Sequence, residues 1–541
     1  MKRVLAIALV LVFAVALAAC AGADPVSPAP QPSGAPAPAP GQTPAPDAAQ
    51  QPAEGTAAGG HLSVGMQVDI TSLYPPELRS PADISVSHFI FENIVGFDAN
   101  GAPEPWLAEA IEEDPAALTY TFHLRPGVYF HDGSYFNAEV AAWNLTNYWE
   151  NGALSGGFFG NVAGIDAVGE YTVVVSMSTW DSTFLYALAR HTGIMQSMEA
   201  HVRVGSDGMR EHPVGTGPFQ WVNRDHGVRI NLERFDNYWQ GAPLLDTVEI
   251  VIIADPLVQQ MALETGEIQV LLTDDFNTVA ARPAGFLVNT TSVPRTSHTI
   301  CFHAIDDGDN PLSDARVRQA LVYAMDRAII NNHLFGEHST PATQWALPGN
   351  PFFSSAITGF PHNPDRGRAL LAEAGFPDGF DTVLHFRNVP LDRNMAQIIA
   401  EQISQIGVNV ELNAVEPAGW GAGYVGGWSR GMILHPMGMD NGAASQLAAN
   451  FVQGLTAGLG VASFDHPDSV DRLIREGLAL TGAESAAVFQ EVQRLVFEEY
   501  AKIAAISMVP TAAVFAPNFH DHGLCVTAYS RSTMWKAWLD Q

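Results

Sequence analysis

The chain has 541 residues, of which 47% are hydrophobic and only 15% are charged, and its formal net charge is −31. This composition is typical of a globular protein, and the roughly 480 residues after position 58 are too many for one compact core, so two or more lobes are expected. The negative charge argues against nucleic acid and anionic lipid as partners, because both would be repelled. Lysine occurs only at positions 2, 502 and 536, so an anion site would have to use arginine, which binds carboxylates bidentately.

The N-terminus predicts export. A basic start at residues 1–3 precedes an apolar run at 4–16, and the small residues of 17–19 stand directly before Cys20. The run is too short to span a ~30 Å hydrocarbon core, so a signal peptide is predicted rather than a transmembrane helix. The pattern is similar to a bacterial lipoprotein signal, which implies that residues 1–19 are removed and that Cys20 becomes a lipidated membrane anchor.

Residues 20–58 predict a linker. They are mostly Ala, Pro, Gly, Gln, Ser and Thr, with Val26 as the only larger apolar residue, so no core can form. Proline-rich chains extend by about 3.1 Å per residue, which would place a folded body up to roughly 100 Å from a membrane. We therefore expect a tethered protein outside the cytoplasm, in the periplasmic space or on the outer face of the cytoplasmic membrane.

The first half of the folded body predicts both strands and helices. Residues 61–66 read as a strand, and a helix is expected from about 83 to 95. Residues 118–124 alternate apolar and polar side chains, which is typical of a half-buried strand, and the turn that follows predicts a second strand at 128–130. A helix is then expected from Asn137, as its N-cap, through residue 147.

The second half predicts helix-then-strand units. Asp314 or Ser313 can cap a helix whose apolar face repeats with helical spacing. Pro364 predicts the first position of another helix, with Gly375 as its stop. A third helix is expected to reach position 407, followed by a strand at 408–412. Alternating units of this kind predict α/β lobes, in which helices cover the sheets.

Two further cysteines leave one question open. Cys301 and Cys525 could pair in an oxidising compartment, but the sequence does not give the geometry that a disulfide needs. Cys301 lies in the apolar run 299–302, which predicts a buried strand thiol. The small number of cysteines excludes zinc sites built on cysteine pairs.

Several short segments occur in an order that carries a family resemblance. They are residues 91–95, 105–109, 120–133, 214–219, 237–239, 266–268, 314–321 and 370–375. Together they resemble the extracytoplasmic solute-binding proteins of ABC importers, in the large class, family 5, that includes dipeptide, oligopeptide and nickel binders. The resemblance covers about residues 60 to 540.

The resemblance implies an α/β, two-lobed periplasmic-binding-protein-like fold with an enlarged first lobe and a hinge. The first lobe would hold residues 59–297 and the returning segment 513–541, and the second lobe residues 298–512. It implies a non-catalytic monomer without cofactor or metal of its own. Such a protein captures a peptide-like solute between its lobes and delivers it to permease subunits, because ligand contacts with both lobes favour the closed state.

Three motifs suggest other chemistry, and their surroundings disfavour each. Residues 215–218 lack the later glycine of a phosphate loop, and Pro218 removes an amide that such a loop would use. Residues 306–310 lack the spacing of a calcium loop. The run 427–431 matches the Gly-x-Ser-x-Gly pattern of serine hydrolases, which makes Ser429 a remote catalytic candidate, but no strand and helix flank it as a nucleophile elbow requires.

The predicted solute site centres on residues 420–440, a segment interpreted as too glycine-rich to be core. It contains the following candidates: Trp420, Trp428, Arg430, His435, Met437, Met439 and Asp440. By resemblance to peptide binders, Asp440 would hold the ammonium group of the solute and Arg387 its carboxylate, while Trp428 would cover its apolar body. The sequence departs from the family after this point, where residues 442–445 replace an acidic run.

A metal chelate is the alternative solute. Nickel-chelate binders of the same class use arginine, histidine and aromatic residues in the cleft. Arg190, at the end of a helix predicted over 184–189, lies near the position of such an arginine, and His435 could act as the direct ligand. No histidine pair has clean ligand spacing, so the peptide-like solute is the first prediction.

Overall fold

The computed structural model describes residues 59–540, apart from 79, 99–100, 153–157, 292–293, 295, 307, 349, 417–418, 421–426, 440–441, 453–462, 464–466 and 526–533. The predicted signal peptide, Cys20 and the linker lie outside the described residues, and so does Asp440. Within the described part, no helix is both long enough and apolar enough to cross a membrane.

The strands of the described residues are β1 (His61–Met66), β2 (Glu92–Asn93), β3 (Val95–Phe97), β4 (Pro103–Pro105), β5 (Ala108–Asp114), β6 (Thr119–Leu124), β7 (Val162–Ala167), β8 (Thr172–Met177), β9 (Ile194–Met195), β10 (Phe219–Asp225), β11 (Arg229–Arg234), β12 (Thr247–Ile252), β13 (Val270–Thr273), β14 (Leu287–Thr290), β15 (Thr296–Phe302), β16 (Thr340–Pro341), β17 (Asp381–Arg387), β18 (Asn409–Val415), β19 (Met432–Gly438), β20 (Ile503–Val509), β21 (Ala512–Phe515), β22 (Phe519–His520) and β23 (Trp538–Leu539).

The helices of the same residues are α1 (Pro81–Ile90), α2 (Ala138–Asn151), α3 (Phe184–Ala187), α4 (Met198–Glu211), α5 (Pro256–Thr265), α6 (Phe276–Ala280), α7 (Ala315–Ala324), α8 (Arg327–Phe335), α9 (Pro364–Glu373), α10 (Pro390–Ser404), α11 (Gly442–Phe451), α12 (Asp468–Ala479) and α13 (Gly482–Arg494).

Two large sheets organise the fold. One has seven strands in the order β10-β11-β12-β1-β13-β21-β14, and the other has six in the order β16-β20-β15-β19-β17-β18. The seven-stranded sheet takes its strands from residues 61–290 and from β21, which returns near the C-terminus. A further four-stranded sheet, β5-β6-β8-β7, enlarges this first lobe. The architecture is therefore a two-lobed α/β fold.

The chain passes between the sheets twice, and the two crossovers are joined. Residues 291–295 link β14 to β15, and residues 510–511 link β20 to β21. The Thr291 N–H donates to the Thr511 carbonyl at 3.0 Å, and the Thr511 N–H donates to the Thr291 hydroxyl at 3.2 Å. These paired crossovers form the hinge. They lie beside the predicted lobe limits at 297/298 and 512/513.

The lobes also touch away from the crossovers. Beside the hinge, Phe276 of α6 packs against Phe335 of α8 with ring centroids 6.4 Å apart. Elsewhere, the Ser182 N–H of the first lobe donates to the Leu478 carbonyl in α12 at 3.0 Å. The two lobes therefore enclose a cleft between them.

Most predicted elements are confirmed, and their caps explain why. Asn137 accepts a hydrogen bond from the Val140 N–H at 3.0 Å and starts α2, while Asp314 and Asn363 cap α7 and α9 in the same way. Each cap satisfies an amide that has no partner inside its helix.

Two element predictions were wrong. The helix expected over 83–95 ends at Ile90, because Glu92 and Asn93 pair as a strand with Met195 and Ile194. The strand expected at 128–130 does not form a hairpin with β6, since β6 pairs with β5 and β8 instead. Local alternation cannot tell which strand will be the neighbour.

The cysteine question also has an answer in the structure. Cys301 and Cys525 are both buried and form no disulfide. Cys301 lies in β15 of the six-stranded sheet, whereas Cys525 packs in the core of the first lobe.

Candidate functional site

The hinge-facing edges of the two sheets form the walls of the cleft. In the six-stranded sheet, β19 and β20 both end where β15 begins, because Gly438 and Val509 each pair with Thr296. In the seven-stranded sheet, β13 and β14 both end where β21 begins, since Thr273 and Thr290 pair with Ala512. Residues at these strand ends therefore face each other across the crossovers, and the carboxyl ends of strands are the usual place for ligands in α/β folds.

Arg387 ends β17 at this edge and is held by a buried carboxylate. Its Nε donates to Asp392 Oδ2 at 2.7 Å, and its Nη2 donates to Oδ1 at 3.0 Å. Asp392 lies in the first turn of α10 and has no exposed surface, while the Arg387 side chain is 30% exposed. Burial opposes the Arg387 cation, but the hydrogen bonds and charge of Asp392 overcome it and raise the pKa of Arg387. The result is a bidentate ion pair with one edge open to the cleft.

Asp274 approaches the same point from the first lobe. It follows the last residue of β13 and is exposed to water, yet the cleft surrounds it closely enough that desolvation raises its pKa. The Arg387 guanidinium opposes that rise, and Asp392 adds to it. Because water still reaches its side chain, this carboxylate is only partly desolvated.

His435 lies in β19, one strand across from Arg387. Its Nδ1 accepts a hydrogen bond from the Trp420 indole N–H at 3.1 Å, and the two rings lie nearly parallel. Burial lowers the pKa of His435 to about 3, with contributions from Arg387 and His298. The imidazole is therefore neutral, and since Nδ1 is the acceptor, the proton lies on Nε2.

His298 is a second neutral imidazole at this edge. It lies in β15, is buried, and its Nδ1 is 3.1 Å from the Ser507 hydroxyl in β20. Burial lowers the pKa of His298 to about 4, while Asp392 and Arg387 act on it in opposite directions. The cleft wall thus combines two neutral imidazoles, one ion pair and one further carboxylate.

Residues 102–456 match the family described as bacterial extracellular solute-binding proteins, family 5 Middle. This match covers more than half of the chain. The chain belongs to this family, the family 5 solute-binding proteins of ABC importers.

Individual relatives agree with the family. The chain is 30% identical over 350 residues to the glutathione-binding protein GsiB of Pectobacterium atrosepticum, which covers 64% of this chain and 67% of that protein. Among solved structures it is similar to DppA from Helicobacter pylori in complex with the peptide STSA, with a TM-score of 0.77, 21% identity, and 90% and 99% of the two chains covered. It is also similar to NikZ from Campylobacter jejuni in complex with Ni(L-His), with a TM-score of 0.73, 18% identity, and 88% and 99% covered. At these identities the structures show the two-lobed periplasmic-binding-protein fold.

Five of the eight segments that carry the family resemblance meet at a site outside the cleft, the buried carboxylate of Glu92. Four side chains from three other segments donate to it: Trp106 at 3.0 Å, Thr216 at 2.9 Å, Tyr238 at 2.8 Å and Trp239 at 2.9 Å. The Arg125 guanidinium of a fifth motif segment lies over the Trp239 ring at 4.6 Å. These motifs therefore build the first lobe.

The glycines of the 215–218 motif have a packing role. A Cβ on Gly215 would lie 2.1 Å from the Ile90 carbonyl oxygen, and one on Gly217 would lie 2.8 Å from it. The segment passes directly over the end of α1, which is how Thr216 reaches Glu92.

The structure brings three of the predicted site residues together, namely Arg387, His435 and Trp420. Trp428 is not with them, since it precedes the start of β19 whereas the cleft lies at the end of that strand. Arg190 lies in the first lobe, in a helical turn after α3 with non-helical backbone angles. Asp440 lies outside the described residues.

One premise about the predicted site was wrong. Residues 420–440 were expected to be too glycine-rich for the core, but Trp420, Trp428, Met437 and Met439 are all buried in one apolar cluster of the second lobe. Met437 is buried because β19 lies inside the six-stranded sheet, between β15 and β17. Trp420, Trp428 and Met439 lie outside that strand and belong to the same apolar cluster.

The surroundings of Ser429 do not form a nucleophile elbow. Ser429 is exposed, and strand β19 rather than a helix follows it. The glycine at 431 has its own structural reason, with φ at +76° and a Cβ that would meet the Val383 carbonyl oxygen at 2.2 Å.

Sequence reasoning missed three residues of this site: Asp274, His298 and Asp392. Asp392 carried a local signal, because it stands five residues after Arg387 and in the first turn of a helix that begins with Pro390. Asp274 and His298 carried none, since only the pairing of distant strands brings them to the cleft.

Proposed function

We propose that this protein is the extracytoplasmic substrate-binding lipoprotein of an ABC importer, and that it captures glutathione or a short peptide between its two lobes. The observation that carries this proposal is the likeness to glutathione-binding GsiB at 30% identity over most of both chains. The charged and imidazole groups that meet at the hinge-facing edges are suited to the polar ends of such a solute.

The proposed mechanism is closure around the solute. A solute that contacts Asp274 on one lobe and Arg387 on the other is bound fully only when the lobes are closed, so binding shifts the population towards the closed state. Permease subunits would then receive the loaded, closed form. No step in this cycle needs a reacting group of the protein, and we propose that the chain is not an enzyme.

A metal chelate remains the second candidate, because the fold is shared with a nickel-histidine binder. His435 is the predicted ligand, but its Nδ1 accepts from Trp420 and its Nε2 therefore carries the proton. Direct coordination would require a change of tautomer and loss of that hydrogen bond. The peptide-like solute is favoured for this reason.

Native mass spectrometry of freshly isolated protein tests the proposal, followed by calorimetry on chain lacking residues 1–58. We expect a bound peptide or glutathione, and heats of binding with glutathione or with the peptides Met-Leu and Ser-Thr-Ser-Ala. Binding of a nickel-histidine complex alone would contradict the proposal, and so would turnover of a peptide or ester that disappears in Ser429→Ala.

The anchor is tested separately. Cys20→Ala should block lipidation and release the protein from membranes, which fractionation and mass spectrometry of the mature N-terminus would show. Cys301→Ala is the matched control and should leave membrane association unchanged. If the Cys20→Ala protein is processed and stays on the membrane like wild type, the lipoprotein assignment fails.

A further inference from the structure

The charges that meet at the cleft do not balance. Arg387 and Asp392 neutralise each other through two hydrogen bonds, and Asp392 is fully buried, so this pair offers little net charge to a solute. His298 and His435 are neutral, because burial lowers the pKa of both. Among the described residues, the carboxylate of Asp274 is left as the uncompensated charge that faces the cleft.

Among the described residues, Asp274 has no structural role, such as capping a helix, that would explain why this position is a carboxylate. Its neighbour Asp275 caps α6 by accepting from the Asn277 N–H at 3.0 Å. In the part of the chain that the structure describes, the Asp274 side chain interacts with its own backbone amide and, electrostatically, with Arg387, Asp392 and Asp275. Within that part of the chain no cation is paired with it alone, and a carboxylate in a partly desolvated cleft favours a cationic ligand, since the ligand would restore the lost solvation.

We propose that Asp274 binds the cationic group of the solute, an ammonium or guanidinium, at the first-lobe wall of the cleft. This inference rests on the proposed function, and it assigns to Asp274 the role that the sequence gave to Asp440. The ion pair of Arg387 and Asp392 is the opposite wall, and the exposed edge of Arg387 donates to neutral or anionic parts of the solute.

The test compares Asp274→Asn with Asp440→Asn, using two probes that differ at the amino terminus, which is charged in one and acetylated and neutral in the other. Calorimetry with Met-Leu and with N-acetyl-Met-Leu measures the contribution of the ammonium group. We expect Asp274→Asn to weaken Met-Leu by roughly thirty-fold, because the ammonium group then loses its charge partner in a partly desolvated cleft. The acetylated dipeptide should bind wild type and Asp274→Asn within about threefold, and Asp440→Asn should bind both probes like wild type.

Each other outcome counts against the assignment. Equal loss of both probes in Asp274→Asn would mean that Asp274 acts on lobe closure and not on the ammonium group. Loss of Met-Leu in Asp440→Asn alone would return the role to Asp440. If wild type binds Met-Leu and Asp274→Asn binds it equally, the inference fails while the proposed function stands, whereas wild type that binds neither the dipeptides nor glutathione removes both. Unliganded Asp274→Asn should melt like wild type, which shows that the fold is intact.

Discussion

Two carboxylates of the first lobe, Glu92 and Asp274, are placed in opposite ways. Glu92 lies in the interior and accepts hydrogen bonds from four side chains, each supplied by a segment that the family shares. Asp274 lies at the cleft, is exposed, and has no side-chain donor within the described residues. One carboxylate is satisfied by the protein, and the other is left for a ligand.

This contrast separates the residues that build the fold from those that would bind the solute. The five family segments that meet at Glu92 hold the loops of the first lobe together. The residues of the cleft wall, in contrast, follow strand ends and belong to no motif that gave the resemblance. Family membership can therefore be read from the scaffold while the solute is decided elsewhere.

Replacing Glu92 should produce the largest effect on stability. Glu92→Ala removes the acceptor that four side chains share and opens a cavity, which should lower the free energy of unfolding by roughly 3–5 kcal/mol. Asp274→Ala, as the matched change at the cleft, should stay within about 0.5 kcal/mol of wild type. Urea denaturation of both variants checks the contrast, and similar losses in the two would break it.

Replacing Asp392 should have the next largest effect. Asp392→Asn removes the charge that compensates the largely buried Arg387, and we expect a loss of roughly 2–4 kcal/mol in unfolding free energy. The double variant with Arg387→Met should recover part of that loss, because no unpaired charge then remains. A double-mutant cycle by urea denaturation measures this coupling, and strictly additive losses would show that the pair does not act as a unit.

The pH dependence of stability should distinguish Glu92 from a carboxyl group whose pKa is the same in the folded and unfolded states. Burial raises the pKa of Glu92 from 4.5 to about 7, so the folded state holds a proton that the unfolded chain releases. Stability should therefore fall as pH rises between these values, by about 3 kcal/mol in all, and level off above them.

Comparison with Glu92→Gln isolates this contribution. Buried histidines have the opposite effect on stability. Burial lowers the pKa of His131 and His522 to about 4, so these histidines bind protons in the unfolded chain at a pH where they stay neutral in the folded state, and their contribution to stability rises with pH. The difference in unfolding free energy between wild type and Glu92→Gln, measured from pH 5 to 8, cancels those terms. A difference that does not change with pH would mean that the Glu92 carboxylate is ionised throughout this range.

The sequence predicted the elements whose signals are local. Asn137, Asp314 and Asn363 marked helix starts because capping depends on a few neighbouring residues. The end of α1 was missed, since Glu92 leaves the helix to meet donors that come from as far away as Trp239. The strand at 128–130 was overpredicted, since Tyr129 makes an isolated antiparallel bridge with Tyr135 in place of a strand.

The same distinction holds for the site. Arg387 was predicted from the resemblance to peptide binders, and Trp420 and His435 from the aromatic and polar residues of one short segment; these three remain predictions that the structure places near each other. Asp274 and His298 were not predicted, because their places depend on the pairing of β13 with β21 and of β15 with β19, which no local pattern in the sequence shows. Trp428 was placed with the solute by its chemistry alone, while the direction of β19 puts it at the other end of the sheet.

The hydrogen bonds between Thr291 and Thr511 decide what kind of motion the lobes can make. Because these two bonds hold Thr291 and Thr511 together, we expect the lobes to rotate about one axis close to this pair instead of sliding or separating. The distance between one point on each lobe then reports a single angle, so one pair of spectroscopic labels suffices to follow the whole opening and closing cycle.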